Sequence, residues 1–169
     1  FTAYLLPFRK PDSEEYVAGT TFARVYDIYE FDRHLRNLIV SALEPIEVMM
    51  RTRIAYFHAH KYGAGGYMDA GNFEDATRHE EFIEEFNSVI AKNAKSLVVQ
   101  HHQMSYGGRF PIWVAVEFFS FGMLSRFYGN MKPEDRRQVA HDLGQGPEHL
   151  RSWLHCLTYL RNMCAHYTR

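Results

Sequence analysis

Residues 148–169 read EHLRSWLHCLTYLRNMCAHYTR, and the periodicity of this stretch decides the fold class. Leu150, Trp153, Leu154, Leu157, Leu160 and Cys164 recur at spacings of three and four, which predicts one buried stripe on a helix. Arg151, His155, Thr158, Asn162, His166 and Arg169 recur in the same way on another face. That second stripe carries no carboxylate, whereas a solvated helix face commonly mixes Glu with Lys. A surface suited to an anion is one reading of it; a plain solvated face is the other.

Working back along the chain, helical signals dominate. Pro147 opens the last helix, and Pro133-Glu134-Asp135 start a short acidic-headed one that Gly144 closes. Pro111 fits the first turn of a helix running to about Tyr128. Its apolar run over 111–123, interrupted by Glu117, predicts a buried core helix and falls short of the roughly 20 residues a bilayer needs. Another helix is predicted from Arg78 to Gln100, with Phe82, Phe86, Val89, Ile90 and Leu97 inward; a loop over 63–72 precedes it and Ser105-Tyr106-Gly107-Gly108 follows it. Phe22, Val25, Tyr26, Tyr29, Leu35, Leu38, Ile39 and Ala42 suit one helical face, and Ile46, Met49, Met50, Ile54 and Phe57 continue the period to Gly63. Pro45 between them should kink or restart the helix, because it donates no amide and clashes with the preceding turn. Residues 1–20 read as irregular. No β-hairpin, phosphate loop, zinc-like spacing or nucleophile elbow appears. The expectation is all-α: one helical bundle of about six helices over residues 1–169.

Bulk composition bounds the function. With 46% hydrophobic residues the chain can bury a real core. A net charge of −1 excludes a global basic field, so a nucleic-acid partner would need a local basic patch. Cys156 and Cys164 lie about 12 Å apart on one helix and cannot bridge each other. They read as small buried apolar residues in a reducing compartment. No signal peptide is visible, and a chain running from Phe1 without a Met to Arg169 fits a fragment whose native termini are missing.

The residues with the most chemistry are Arg161-Asn162-Met163-Cys164-Ala165-His166. A guanidinium is a planar, permanently charged fork for phosphate oxygens, and an imidazole is a general base or acid near neutral pH. Five residues place Arg161 and His166 about 140° apart on an ideal helix, while Asn162 and His166 share a face. Either the long Arg side chain reaches round, or two copies of the helix meet across a two-fold axis. His155, Thr158 and Arg169 are secondary candidates for RNA contact. Glu117, alone in an apolar helix, calls for an arginine such as Arg36 or Arg161, as a structural pair rather than to tune the site. Arg33 and Arg36, three apart, read as ion-pair partners of acids on neighbouring helices in preference to an RNA-facing pair. His58 with His60 and His101 with His102 lack the company a metal site needs. The many Tyr and Phe read as core rather than as base-stacking platforms.

Three ordered blocks carry a family resemblance. The first holds Gly19-Thr20-Thr21-Phe22, Tyr29-Glu30-Phe31-Asp32-Arg33 and Leu35-Arg36, leading into Leu43-Glu44-Pro45-Ile46-Glu47-Val48. The second is Pro111-Ile112-Trp113 with Glu117 and Ser120-Phe121-Gly122-Met123-Leu124-Ser125, and the third is the Arg161–His166 motif. The chain resembles the Abi-like family of bacterial abortive-infection proteins, within the HEPN superfamily; Pro45 departs from the family's usual helix-forming residue. The resemblance implies a metal-independent endoribonuclease of the bacterial cytoplasm that needs no cofactor. It implies a homodimer through the motif helix, acting in phage defence as a toxin held by an antitoxin of RNA or protein, with no membrane partner. His166 would be the base, Arg161 would stabilise charge on the phosphate, and Asn162 would orient them. The alternative is a non-catalytic module that holds RNA or nucleotide, or a regulatory partner subunit.

Overall fold

The structure, a computed structural model, describes residues 2–166, the side chain of His166 excepted. Among the described residues it contains eight α-helices and no strand: α1 (Thr2–Leu5), α2 (Phe22–Tyr62), α3 (Ala76–Lys92), α4 (Leu97–Tyr106), α5 (Ile112–Ala115), α6 (Phe121–Asn130), α7 (Pro133–Asp142) and α8 (Pro147–His166). The all-α expectation holds. The chain divides into two compact units, Phe1–Leu43 with Arg161–Arg169, and Glu44–Leu160. Helices α2 and α8 each contribute residues to both.

The larger unit is built on aromatic rings meeting edge to face, the arrangement their quadrupoles favour. Phe82 meets Phe119 at 5.0 Å and Phe73 meets Phe127 at 5.1 Å, both near perpendicular. Polar groups fix the helix ends around this core. The Asp75 carboxylate caps α3 by accepting the Arg78 amide, and the Asn130 side chain exchanges two hydrogen bonds with the Asp75 backbone (3.0 and 2.9 Å). Buried Asp135 of α7 accepts from the Tyr62 hydroxyl at 2.7 Å and pairs with Lys61. Buried Arg136 donates to the carbonyls of Gly129 and Met131 and pairs with Glu74. Gly66 is required by close approach, since a Cβ there would lie 2.4 Å from the Tyr62 Cβ.

His58 sits inside the same core, ringed by Tyr62, Phe73 and Phe127 at centroid distances of 4.8 to 5.6 Å. Neither of its ring nitrogens has a hydrogen-bond partner. Burial therefore disfavours the imidazolium and lowers its pKa to about 4, Asp135 opposing that and His79 and Lys61 adding to it.

In the smaller unit, residues 2–17 are more ordered than expected. Helix α1 is followed by a 3-10 turn over Leu6–Phe8 and a bridge between Arg9 and Tyr16. Tyr4 is buried edge-on against Tyr29 at 5.4 Å, and its hydroxyl donates to Asp32. Arg36 pairs with that same Asp32, and Arg33 grips Glu30 through two hydrogen bonds of 3.1 and 2.7 Å. Both arginines thus pair with acids one turn back on their own helix, as i,i+3 and i,i+4 spacing permits, where acids on neighbouring helices were expected.

Three helix boundaries differ from the sequence reading. Helix α2 does not restart at Pro45 but runs through it for 41 residues. Ser41 and Pro45 are both exposed, so water can satisfy the carbonyl that proline leaves unpaired. The single helix expected over 78–100 is two, parted at residues 93–96. Leu97, read as inward, is 83% exposed, so no burial holds the two together. The helix expected over 111–128 breaks into α5, a 3-10 turn over Val116–Phe118, and α6. Phe119 between them is extended and fully buried, and Ser120 caps α6 by accepting the Met123 amide at 3.2 Å.

Candidate active site on the last helix

Helix α8 is placed by its first three turns, all within the larger unit. Leu150 and Leu154 are buried as the stripe predicts. The Tyr128 hydroxyl reaches the Pro147 carbonyl at 3.1 Å, and burial pushes its pKa up to about 12, so it remains a donor. Trp153, assigned to the core stripe, is instead 52% exposed, and Cys156 is exposed where a buried thiol was expected; only Cys164 is buried. The stripe is narrower than the spacing suggested, because Leu150, Leu154 and Cys164 bury while the flanking Trp153 does not.

The polar stripe splits into parts with different uses. The Thr158 hydroxyl donates to the Leu154 carbonyl at 2.7 Å and lies 3.4 Å from the Phe121 carbonyl, so its donor is spent on backbone. Half-buried Thr158 is therefore left with acceptor capacity only toward a ligand. His155 and Arg151 are exposed and line a cleft of about 580 Å³ together with Arg78 of α3 and Arg126 of α6. That cleft is not free of acids. Arg126 pairs with Glu85, Arg78 with Asp75, and Arg151 with Glu148 at 3.7 Å. The carboxylates missing from the stripe are supplied by its own first turn and by the neighbouring helix. No spacing within α8 could have signalled Arg126 or Glu85.

The last turn and a half holds the motif, in the smaller unit. Arg161 is half-buried and Asn162 exposed, and among the described residues Arg161 makes no ion pair with a carboxylate. Over the described residues the helix is continuous to His166. Arg161, Asn162 and His166 thus share one rigid element, with Arg161 and His166 about 140° apart around it. The His166 side chain and all of Arg169 lie outside the described residues. A half-buried guanidinium with no carboxylate partner is suited to an anionic ligand, because the charge would otherwise stand partly desolvated.

The supporting pair does not form as expected. Glu117 is exposed in a 3-10 turn, not buried in an apolar helix, so water solvates it and no arginine is demanded. Arg36 is engaged by Asp32 and Tyr4. Among the described residues no group of three or more His, Cys, Asp or Glu side chains gathers as a metal site would. No described helix is long and apolar enough to cross a membrane.

No curated protein and no solved structure matches the chain. A family model does, over residues 1–169, and the chain belongs to the Abi-like protein family, a family of abortive-infection proteins.

Proposed function

We propose that this chain is a metal-independent endoribonuclease of a bacterial abortive-infection system, with Arg161, Asn162 and His166 as its active residues. Family membership supports the defence role. The observation that carries the chemistry is the half-buried Arg161, without a carboxylate partner among the described residues, one turn and a half before His166 on the same helix. His166 takes the proton from a ribose 2′-hydroxyl. The alkoxide attacks the adjacent phosphorus, the bond to the 5′-oxygen breaks, and a 2′,3′-cyclic phosphate remains. Arg161 binds the non-bridging oxygens and offsets the added negative charge, a role worth about 3–4 kcal/mol in a preorganised site. Asn162 orients the imidazole or the phosphate.

Because one helix points Arg161 and His166 apart, the site is completed across a two-fold axis by a second copy, whose His166 protonates the leaving oxygen. The setting is the cytoplasm, with an antitoxin of RNA or protein holding the activity in check. Expression in bacteria tests the reading. Wild type slows growth, Arg161→Ala and His166→Ala each restore it, and equal toxicity of all three would remove the assignment. A wild type that binds RNA without cutting it would favour a binding module instead.

A further inference from the structure

A second cleft lies in the larger unit, between the end of α4 and the start of α5, away from the motif in sequence. It encloses about 750 Å³, within the range of ligand sites of roughly 300–1,000 Å³. Its floor is built and rigid. His102 stacks on Phe110 at 5.1 Å and 14°, both are buried, and the His102 Nδ1–H donates to the Val98 carbonyl. Its rim is the opposite. Tyr106 is 57% exposed and Trp113 54% exposed, and His101 and Arg109 are exposed beside them. Gly107 and Gly108, both at positive φ, turn the chain tightly enough to bring Tyr106 and Arg109 to the same rim.

Large exposed rings around a concavity are costly to leave in water and call for a flat partner. Among the described residues no carboxylate lines this cleft, whereas the permanently charged Arg109 does, so the complementary partner carries negative charge. Flat, stackable and anionic describes unpaired bases on a phosphate backbone; paired bases have no free face to offer. We infer that this cleft is a docking site for single-stranded RNA, in which bases stack on Trp113 and Tyr106 while Arg109 meets the phosphates. This rests on the proposed action on RNA and specifies its substrate as unpaired.

Tryptophan fluorescence tests it without needing activity. The chain has two tryptophans, and the exposed Trp153 serves as control. The His166→Ala protein carrying Trp153→Phe is titrated with an unpaired oligoribonucleotide and with an RNA duplex. Quenching of Trp113 by the single strand alone is expected; with the label moved to the oligoribonucleotide and binding read by its anisotropy, affinity falls about five- to thirty-fold in Trp113→Ala and is unchanged in Trp153→Phe. Circular dichroism confirms that Trp113→Ala is folded, and Arg109→Glu, at an exposed site, gives a second loss that needs no core change. No quenching in a protein whose wild type cuts RNA would overturn the cleft and leave the nuclease reading standing. Equal quenching by duplex would overturn stacking. Quenching with no cleavage by wild type would keep the cleft and remove the nuclease.

Discussion

Phe127 and Phe31 are the same side chain on two helices with opposite fates. Phe127 is fully buried in α6, edge-on to Phe73, whereas Phe31 in the first half of α2 is 69% exposed. The contrast extends to their surroundings. Of the helical face predicted over residues 22–42, only Val25 is buried, while Met50 and Ile54, further along the same helix in the larger unit, are wholly so. Helical period finds a helix, but burial needs a partner surface, which the second half of α2 meets at Met50 and Ile54 and the predicted face of the first half meets only at Val25. The larger unit therefore carries the stability, and the smaller one, which holds Arg161 and His166, is where the proposed chemistry sits.

The comparison can be broken by separating activity from stability. His166→Ala is expected to slow RNA cleavage by about 10²–10⁴-fold. Single-turnover kinetics read that loss, while Asn162→Ala, at an exposed position of the same motif, should change unfolding free energy by no more than about 0.5 kcal/mol in urea melts. Phe127→Ala should do the reverse to the fold, costing about 3–5 kcal/mol through the cavity it leaves, and an unchanged melt would deny the aromatic core its role.

The acid response sharpens the same contrast, because His58 lies in the larger unit. Its folded pKa, about 4, is below the unfolded value of 6.5, so the unfolded chain binds the proton first. Stability is complete above pH 6.5 and falls as pH drops towards 4, by about 3 kcal/mol in all. Melts across that range should show the loss in wild type and a flatter profile in His58→Phe; identical slopes would remove His58 as the cause. Arg136→Met should cost about 2 kcal/mol by orphaning the Gly129 and Met131 carbonyls and Glu74, measured by the same melts. The smallest effect is expected at Phe31→Ser, within about 0.5 kcal/mol, and a loss as large as that at Phe127 would erase the difference between the regions.

Much of this architecture was legible because helix punctuation is local. Pro133, Gly144 and Pro147 mark the ends of α7 and the start of α8, and each structural boundary falls at or beside them. The breaks at 93–96 and 119–120 were not legible, since Ser120 acts as a cap only because Phe119 is pulled out of helix into the core. Glu117 misled for the same reason. An apolar run implied a helix interior, and the turn placed it on the surface. At the site, the motif residues could be named from spacing and resemblance. The acid facing Arg126 could not, because Glu85 arrives from a helix some forty residues earlier, whereas Glu148 lies one turn before Arg151 on α8 itself. Trp113, within the run read as a buried core helix, is 54% exposed, because apolar content alone does not tell which ring the fold will cover.

The central claim is that Arg161 and His166 act together at one scissile linkage without a metal. It is tested most directly by incubating a defined RNA with purified protein in excess chelator and identifying the new ends. Cleavage by wild type that leaves 2′,3′-cyclic phosphate, and is lost in both Arg161→Ala and His166→Ala, is the predicted result. Cleavage that stops when metal is removed, or that persists at the wild-type rate in either variant, would contradict it.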